Sequence, residues 1–248
     1  MAPFLLDGAG WGANNARMIG TIETLLLAVA IFVGGHFFLS SVTVREPIIK
    51  TLGETGFRVS YSVLALGAMV WTVVAYNAAP RLVLWQPTPG LLAIPLIVMP
   101  FACILVVASL STPNITMVAG EHHADQPHPA PGIMTITRHP GLWGFGLWSM
   151  AHLLANGDDA SLALFGGIAV LCFGGMWHID QRRRITLGSA WGPVALTTSV
   201  IPFQAALQRR TKIDWPGIGL ARVAAGLALY TALLLTHGWA IGVSVIPG

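Results

Sequence analysis

The chain has 248 residues, of which 54% are hydrophobic and only 9% charged, with a formal net charge of +3. A soluble domain carries roughly 25% charged residues, so this balance excludes an ordinary water-soluble fold and points to an all-α, polytopic integral membrane protein. The small positive charge informs orientation in a bilayer and gives no reason to expect nucleic acid as a partner. Two cysteines, Cys103 and Cys172, each sit in an apolar run, which offers neither a disulfide framework nor a zinc site.

Met1–Arg17 lacks the basic stretch, short apolar core and small-residue cleavage site of a cleavable signal. The first apolar run is therefore expected to stay in the protein. About six spans follow: Ile19–Val42, Phe57–Ala78, Leu91–Leu110, Gly141–Asn156, Ala160–His178 and Ile218–Gly242. A spanning helix needs about 20 apolar residues, so the fourth run is short. The fourth and fifth runs are joined only by Gly157, Asp158 and Asp159. They are expected to form a tight helical hairpin, with both aspartates at the fifth helix's N-terminus, where the helix dipole favours negative charge.

Ten of the thirteen Lys and Arg fall in the odd loops: Arg45, Lys50, Arg58, Arg138, Arg182, Arg183, Arg184, Arg209, Arg210 and Lys212. The positive-inside rule then places those loops in the cytoplasm, with both termini outside. The whole of 1–248 reads as a single transmembrane domain. Within it, 181–216 reads as a cytoplasmic basic loop whose first half is an interfacial amphipathic helix. The proline-rich stretch Met117–Gly132 argues against helix.

The chemistry concentrates in Thr137–Asp158. Pro140 fits the first turn of a helix, and the apolar run after it carries His152. An ionisable side chain inside a membrane segment is a functional-site hypothesis. Trp148, Ser149, His152 and Asn156 share one helix face. His36 lies in the first span, after Gly34 and Gly35, which allow a helix or flat ligand to come close. Counting from the loops at about 1.5 Å per residue, His36 and His152 reach similar depth to within roughly 5 Å. Two neutral imidazoles at one depth suit axial ligation of a haem iron. Hydrogen bonds between helices are the alternative. No C-x-x-C-H is present, so a haem would be non-covalent. Arg138 and His139, beside a helix N-terminus, suit an anion such as a propionate or phosphate; an interfacial anchor is the alternative. His122, His123 and His128 match no standard metal spacing, and His237 reads as an interfacial residue.

Several stretches carry a resemblance: G-H-F-F-L-S-S (35–41), V-L-W-Q-P (83–87), I-T-R-H-P-G-L-W-G (136–144) and W-S-M-A-H-L-L-A-N-G-D (148–158). To these add D-x-R-R (180–183), T-S-V-I-P-F (198–203) and L-T-H-G-W-A-I-G-V-S (235–244). Together they resemble the NnrU family of membrane proteins, whose plant and cyanobacterial relatives include a 15-cis-zeta-carotene isomerase. The resemblance implies a bacterial inner-membrane protein that holds haem b with ligands at His36 and His152. It implies redox-controlled cis-trans isomerisation of a polyene, a hydrophobic small-molecule substrate and a lipid environment, with the redox partner open. The relative's exchanging cysteine aligns with Ser149, which would line the iron site as a catalytic residue. A second function class that the resemblance implies is a non-catalytic haem accessory or sensor in nitric oxide and nitrite metabolism, that is, denitrification. A third rests on R-H-P-x-x-x-G, which is similar to isoprenylcysteine methyltransferases; here Leu142 stands at their Tyr position and Asp180 follows Ile179 where they have two acids.

Overall fold

The computed structural model describes residues 20–117, 120–123, 130–243 and 245. The reading of Met1–Arg17 and of His128 lies outside those residues. Among the described residues the chain is helical, and its one β-type contact is an isolated bridge between Val83 and Asp158. The helices are α1 (Ile22–Ser40), α2 (Val42–Ala78), α3 (Pro89–Ser111), α4 (Pro140–Asn156), α5 (Asp159–Leu187), α6 (Trp191–Thr197), α7 (Gln204–Leu207), α8 (Trp215–Ile218) and α9 (Leu220–Ile241). Among the described residues five segments are long and apolar enough to cross a membrane: α1, α2, α3, the run from Asp159 through Thr197, and α9. The protein is thus a multi-pass membrane protein. The expected fourth span forms as α4, but its 17 residues reach about 25 Å at 1.5 Å each, short of a hydrocarbon core of about 30 Å.

Two elements differ from expectation. The first loop is helical: α2 begins at Val42, not Phe57, and is interrupted only at Gly53, where φ is 74°. Charge had suggested a loop there. In the structure those charges pair along the helix instead, with Glu54 accepting from Arg45 at 2.6 Å and from Arg58 at 3.1 Å. Residues 181–216, read as a basic loop with a helix in its first half, carry helix in both halves. Helix α5 runs on to Leu187, and α6, α7 and α8 follow. Trp191 and Val194 of α6 are buried with Ile115 and Met134, because an amphipathic segment can cover the apolar residues of the neighbouring connection. A short 3-10 turn at Gly120–His123 also forms in the stretch read as non-helical.

The chain divides into two units. The first holds α1, α2, the connection to Thr88 and the run from Asn156 to Leu171. Its core is Leu25, Ala28 and Val29 of α1 against Ala75 of α2, Ala79 and Ala160. One end of this unit is locked by ion pairing. Asp158 accepts from the backbone N–H of Ser161 at 2.9 Å, which caps α5, and from Arg81 at 3.2 Å. Arg81 also donates to the Tyr76 hydroxyl at 3.0 Å. Asp159 accepts from the Leu82 backbone at 2.9 Å. Both aspartates therefore sit at the helix start, as the sequence led us to expect, and their partners are the strand-like residues 81–84.

The second unit holds α3, α4 to Ala155, α5 from Cys172 and everything after. Its helices touch through glycine. A Cβ on Gly144 would lie 2.8 Å from the Ala102 carbonyl oxygen and 2.6 Å from a Val106 methyl, and one on Gly226 would lie 2.6 Å from the Ile104 Cα. So α4 and α9 both approach the α3 backbone where only glycine fits, the usual way helices gain contact when lipid removes the hydrophobic drive between them. Replacing Gly226 with Ala should lower the melting temperature of the detergent-solubilised protein by the equivalent of about 1–3 kcal/mol, the usual cost of overpacking. Gly34→Ala is the control, because a Cβ there meets nothing within 4 Å; an unchanged Gly226→Ala melt would show that α9 does not pack on α3 this way.

Candidate functional site

Helix geometry orients both histidines of interest. In α1, His36 Nδ1 lies 2.6 Å from the Phe32 carbonyl oxygen; in α4, His152 Nδ1 lies 2.8 Å from the Trp148 carbonyl oxygen. A carbonyl can only accept, so in each ring Nδ1 carries the hydrogen and the neutral imidazole has its lone pair on Nε2. That tautomer, with the remote N–H donated to a backbone carbonyl, is the one a metal-ligating histidine uses. Each ring is also held by aromatic neighbours. His36 meets Phe32 and Tyr61 edge-on at 4.6 and 5.5 Å, and His152 lies 5.4 Å from Trp148. Ser40, one turn after His36, donates to the His36 backbone carbonyl at 2.5 Å. A Cβ on Gly34 or Gly35 meets nothing within 4 Å, so these two glycines do not serve a helix contact among the described residues.

His36 belongs to the first unit and His152 to the second. Ser149 lies one turn before His152 and is fully buried, its hydroxyl donating to the Gly146 carbonyl at 2.9 Å. That spacing gives Ser149 and His152 a shared helix face. The structure adds a residue that spacing did not suggest: the His237 ring of α9 is stacked beside His152, with centroids 6.5 Å apart and planes at 26°. His237 was read as interfacial because it stands near a helix end; only the packing of α9 beside α4 brings it to His152.

Arg138 and His139 were expected to face an anion at the start of α4. In the structure the anion they face is a protein carboxylate. His139 is 1% exposed and its Nε2 donates to Asp180 of α5 at 2.8 Å. Arg138 reaches the other oxygen of Asp180 at 3.6 Å, with its guanidinium 5.8 Å from the Trp191 ring. His139 is therefore no surface anchor. Asp180 closes a buried junction between the start of α4, the far end of α5 and α6. Neighbouring bonds knit the same region: Arg138 N–H donates to the Ser199 carbonyl at 2.9 Å, Trp143 Nε1 to Val200 at 2.8 Å and Phe203 N–H to Ile136 at 2.8 Å. Fully buried Arg183 donates to the Met117 carbonyl at 2.8 Å and pairs with Glu121. The D-x-R-R spacing was the sequence signal for this junction, since it sets Asp180 and Arg183 on one face of α5. Among the described residues, no group of three or more His, Cys, Asp or Glu is arranged to hold a metal ion.

Burial holds the His139 imidazole below the usual histidine range, and the bond to Asp180 only partly offsets this. Burial likewise lowers Arg138, against the pull of Asp180. The consequence for stability has a definite sign. A histidine whose folded pKa is depressed stays neutral in the fold while the unfolded chain takes up a proton below about pH 6.5. Its contribution is complete above that pH and falls as the pH drops through it toward the folded value. Melting temperatures of the wild type should therefore decline more steeply than those of His139→Gln from pH 7 to pH 5. Parallel profiles would remove His139 as the group responsible.

A family model described as NnrU protein matches residues 24–245. The chloroplastic 15-cis-zeta-carotene isomerase of Zea mays is 31% identical over 193 residues, covering 76% of this chain and 52% of the relative. The protein of the same name from Arabidopsis thaliana is 30% identical over 213 residues, covering 82% and 57%. The chain thus spans a little over half the length of these curated relatives. No solved structure matches the chain.

Proposed function

The chain belongs to the NnrU protein family, and from that membership we propose that it is a membrane-embedded cis-trans isomerase of a long polyene such as a carotenoid. The observation that carries the reading is its identity of 30–31% with two relatives named as 15-cis-zeta-carotene isomerases, over most of its own length. A substrate of this class dissolves in lipid, and a protein of this hydropathy meets it there without an aqueous channel.

We assign haem b as the cofactor. The support within the chain is the shared donor chemistry of His36 and His152: each gives Nδ1–H to a carbonyl of its own helix and keeps its lone pair on Nε2, the nitrogen that would hold iron. When bound, the haem supplies one-electron chemistry at the double bond, which weakens its resistance to rotation. The chain's own residues bind and orient. The aromatic contacts of both rings fix their planes, and the buried Ser149, one turn from His152, is the side chain nearest in sequence to the reacting centre on that helix face. Arg138, whose Nε has no hydrogen-bond partner, supplies positive charge toward a propionate, while His139 holds Asp180 in place beside it.

The test is spectroscopic first. Detergent-purified protein should show a b-type haem in the pyridine haemochrome assay, and the dithionite-reduced form should convert a cis-polyene, followed by chromatography. His36→Ala and His152→Ala should each lose most of the haem and the conversion, while His178→Ala retains both. A protein that stays colourless after haem addition would remove the cofactor assignment. One that binds haem yet leaves the polyene unchanged would return it to the non-catalytic haem class.

A further inference from the structure

We propose that His237 is a positioning residue for His152, and that the chain just after α9 is the clasp that sets it. This rests on the reading that His152 is the functional imidazole. The argument begins at the end of α9. Ile241 is its last residue, and Gly242 follows with φ 82° and ψ 2°, its N–H donating to the Gly238 carbonyl at 3.1 Å. That left-handed conformation costs glycine little and a residue with a Cβ more. It turns the chain back toward the helix, so that the Val243 carbonyl oxygen lies 2.8 Å from His237 Nδ1. The carbonyl only accepts, so Nδ1 carries the hydrogen and the His237 ring is held in one orientation and one tautomer.

The held ring is the one stacked on His152 at 6.5 Å and 26°. His152 is thereby restrained from both its own helix and another. The Trp148 carbonyl fixes its Nδ1, the Trp148 ring lies 5.4 Å away, and the His237 ring limits rotation on the α9 side. All of these groups lie in the second unit. The imidazoles come from α4 and α9, 85 positions apart in the chain, and both helices approach α3 closely, α9 at Gly226 and α4 at Gly144. A ring that must present Nε2 to a cofactor gains from this second restraint, because orientation fixed before binding is not lost on binding. A merely interfacial histidine has no need of a turn that returns a carbonyl to it.

The experiment uses the purified full-length chain and four variants: His237→Ala, His237→Phe, Gly242→Ala and, as control, Thr236→Ala, whose hydroxyl donates to its own helix. In a haem-free preparation, modification of His152 by diethyl pyrocarbonate is followed by mass spectrometry. In His237→Ala and Gly242→Ala it should speed up about fivefold to tenfold, the factor that corresponds to losing one hydrogen bond of ordinary net strength. His237→Phe keeps a ring and should fall between these and the wild type; Thr236→Ala should match the wild type. In a haem-bearing preparation, haem transfer to excess apomyoglobin should accelerate by the same factor, and the reduced absorption band should shift. If His237→Ala does not fold, Gly242→Ala and His237→Asn, which keeps a donor toward Val243, carry the test. Unchanged labelling, haem loss and band position in Gly242→Ala and the His237 variants would overturn the proposal. A chain that never binds haem but shows the accelerated labelling would sink the proposed function and leave this inference standing. Bound haem with unmoved His237 variants would do the reverse.

Discussion

The hydrocarbon core of a bilayer offers no hydrogen-bond partner, so each polar group placed there must be satisfied by the protein. Much of this chain follows from that demand. Histidine in a spanning helix meets it most simply by donating Nδ1–H to the carbonyl four residues back, and His36 and His152 both do so. The same bond that satisfies the ring also decides its chemistry, because it leaves the lone pair on the outer nitrogen. Ser149 and Thr72 meet the same demand by donating to carbonyls of their own helices.

Outside the apolar spans, charge is handled differently. In the second unit polar side chains from several segments form a folded junction. Asp180 takes Arg138 and His139, Glu121 and a carbonyl take Arg183, and Arg210 donates to the carbonyls that end α6. Removing a buried charge from water is costly unless it is paired, so the basic residues that set orientation in sequence terms also hold the end of the unit together. In the first unit Asp158 does equivalent work, capping α5 and accepting from Arg81.

Composition and hydropathy were enough to determine a multi-pass helical membrane protein, since a charge content this low cannot keep a chain in water. They also marked α1, α3, α4 and α9 to within a few residues, because an apolar run bounded by proline, glycine or charge has few ways to end. The aspartates at the start of α5 and the histidines on α1 and α4 were legible too, through local rules of capping and spacing. What local rules could not give was the fate of the charged segments. Val42–Leu52 and 181–216 carry charges that suit a loop as well as a helix, and only their partners, Glu54 in one case and the Ile115–Met134 surface in the other, made them ordered helices. Tertiary structure alone turned Arg138 and His139 onto Asp180, and it alone set His237 beside His152. Both pairings join residues distant in the chain. Each joins side chains from different segments, and no periodicity within a single helix records such a pairing.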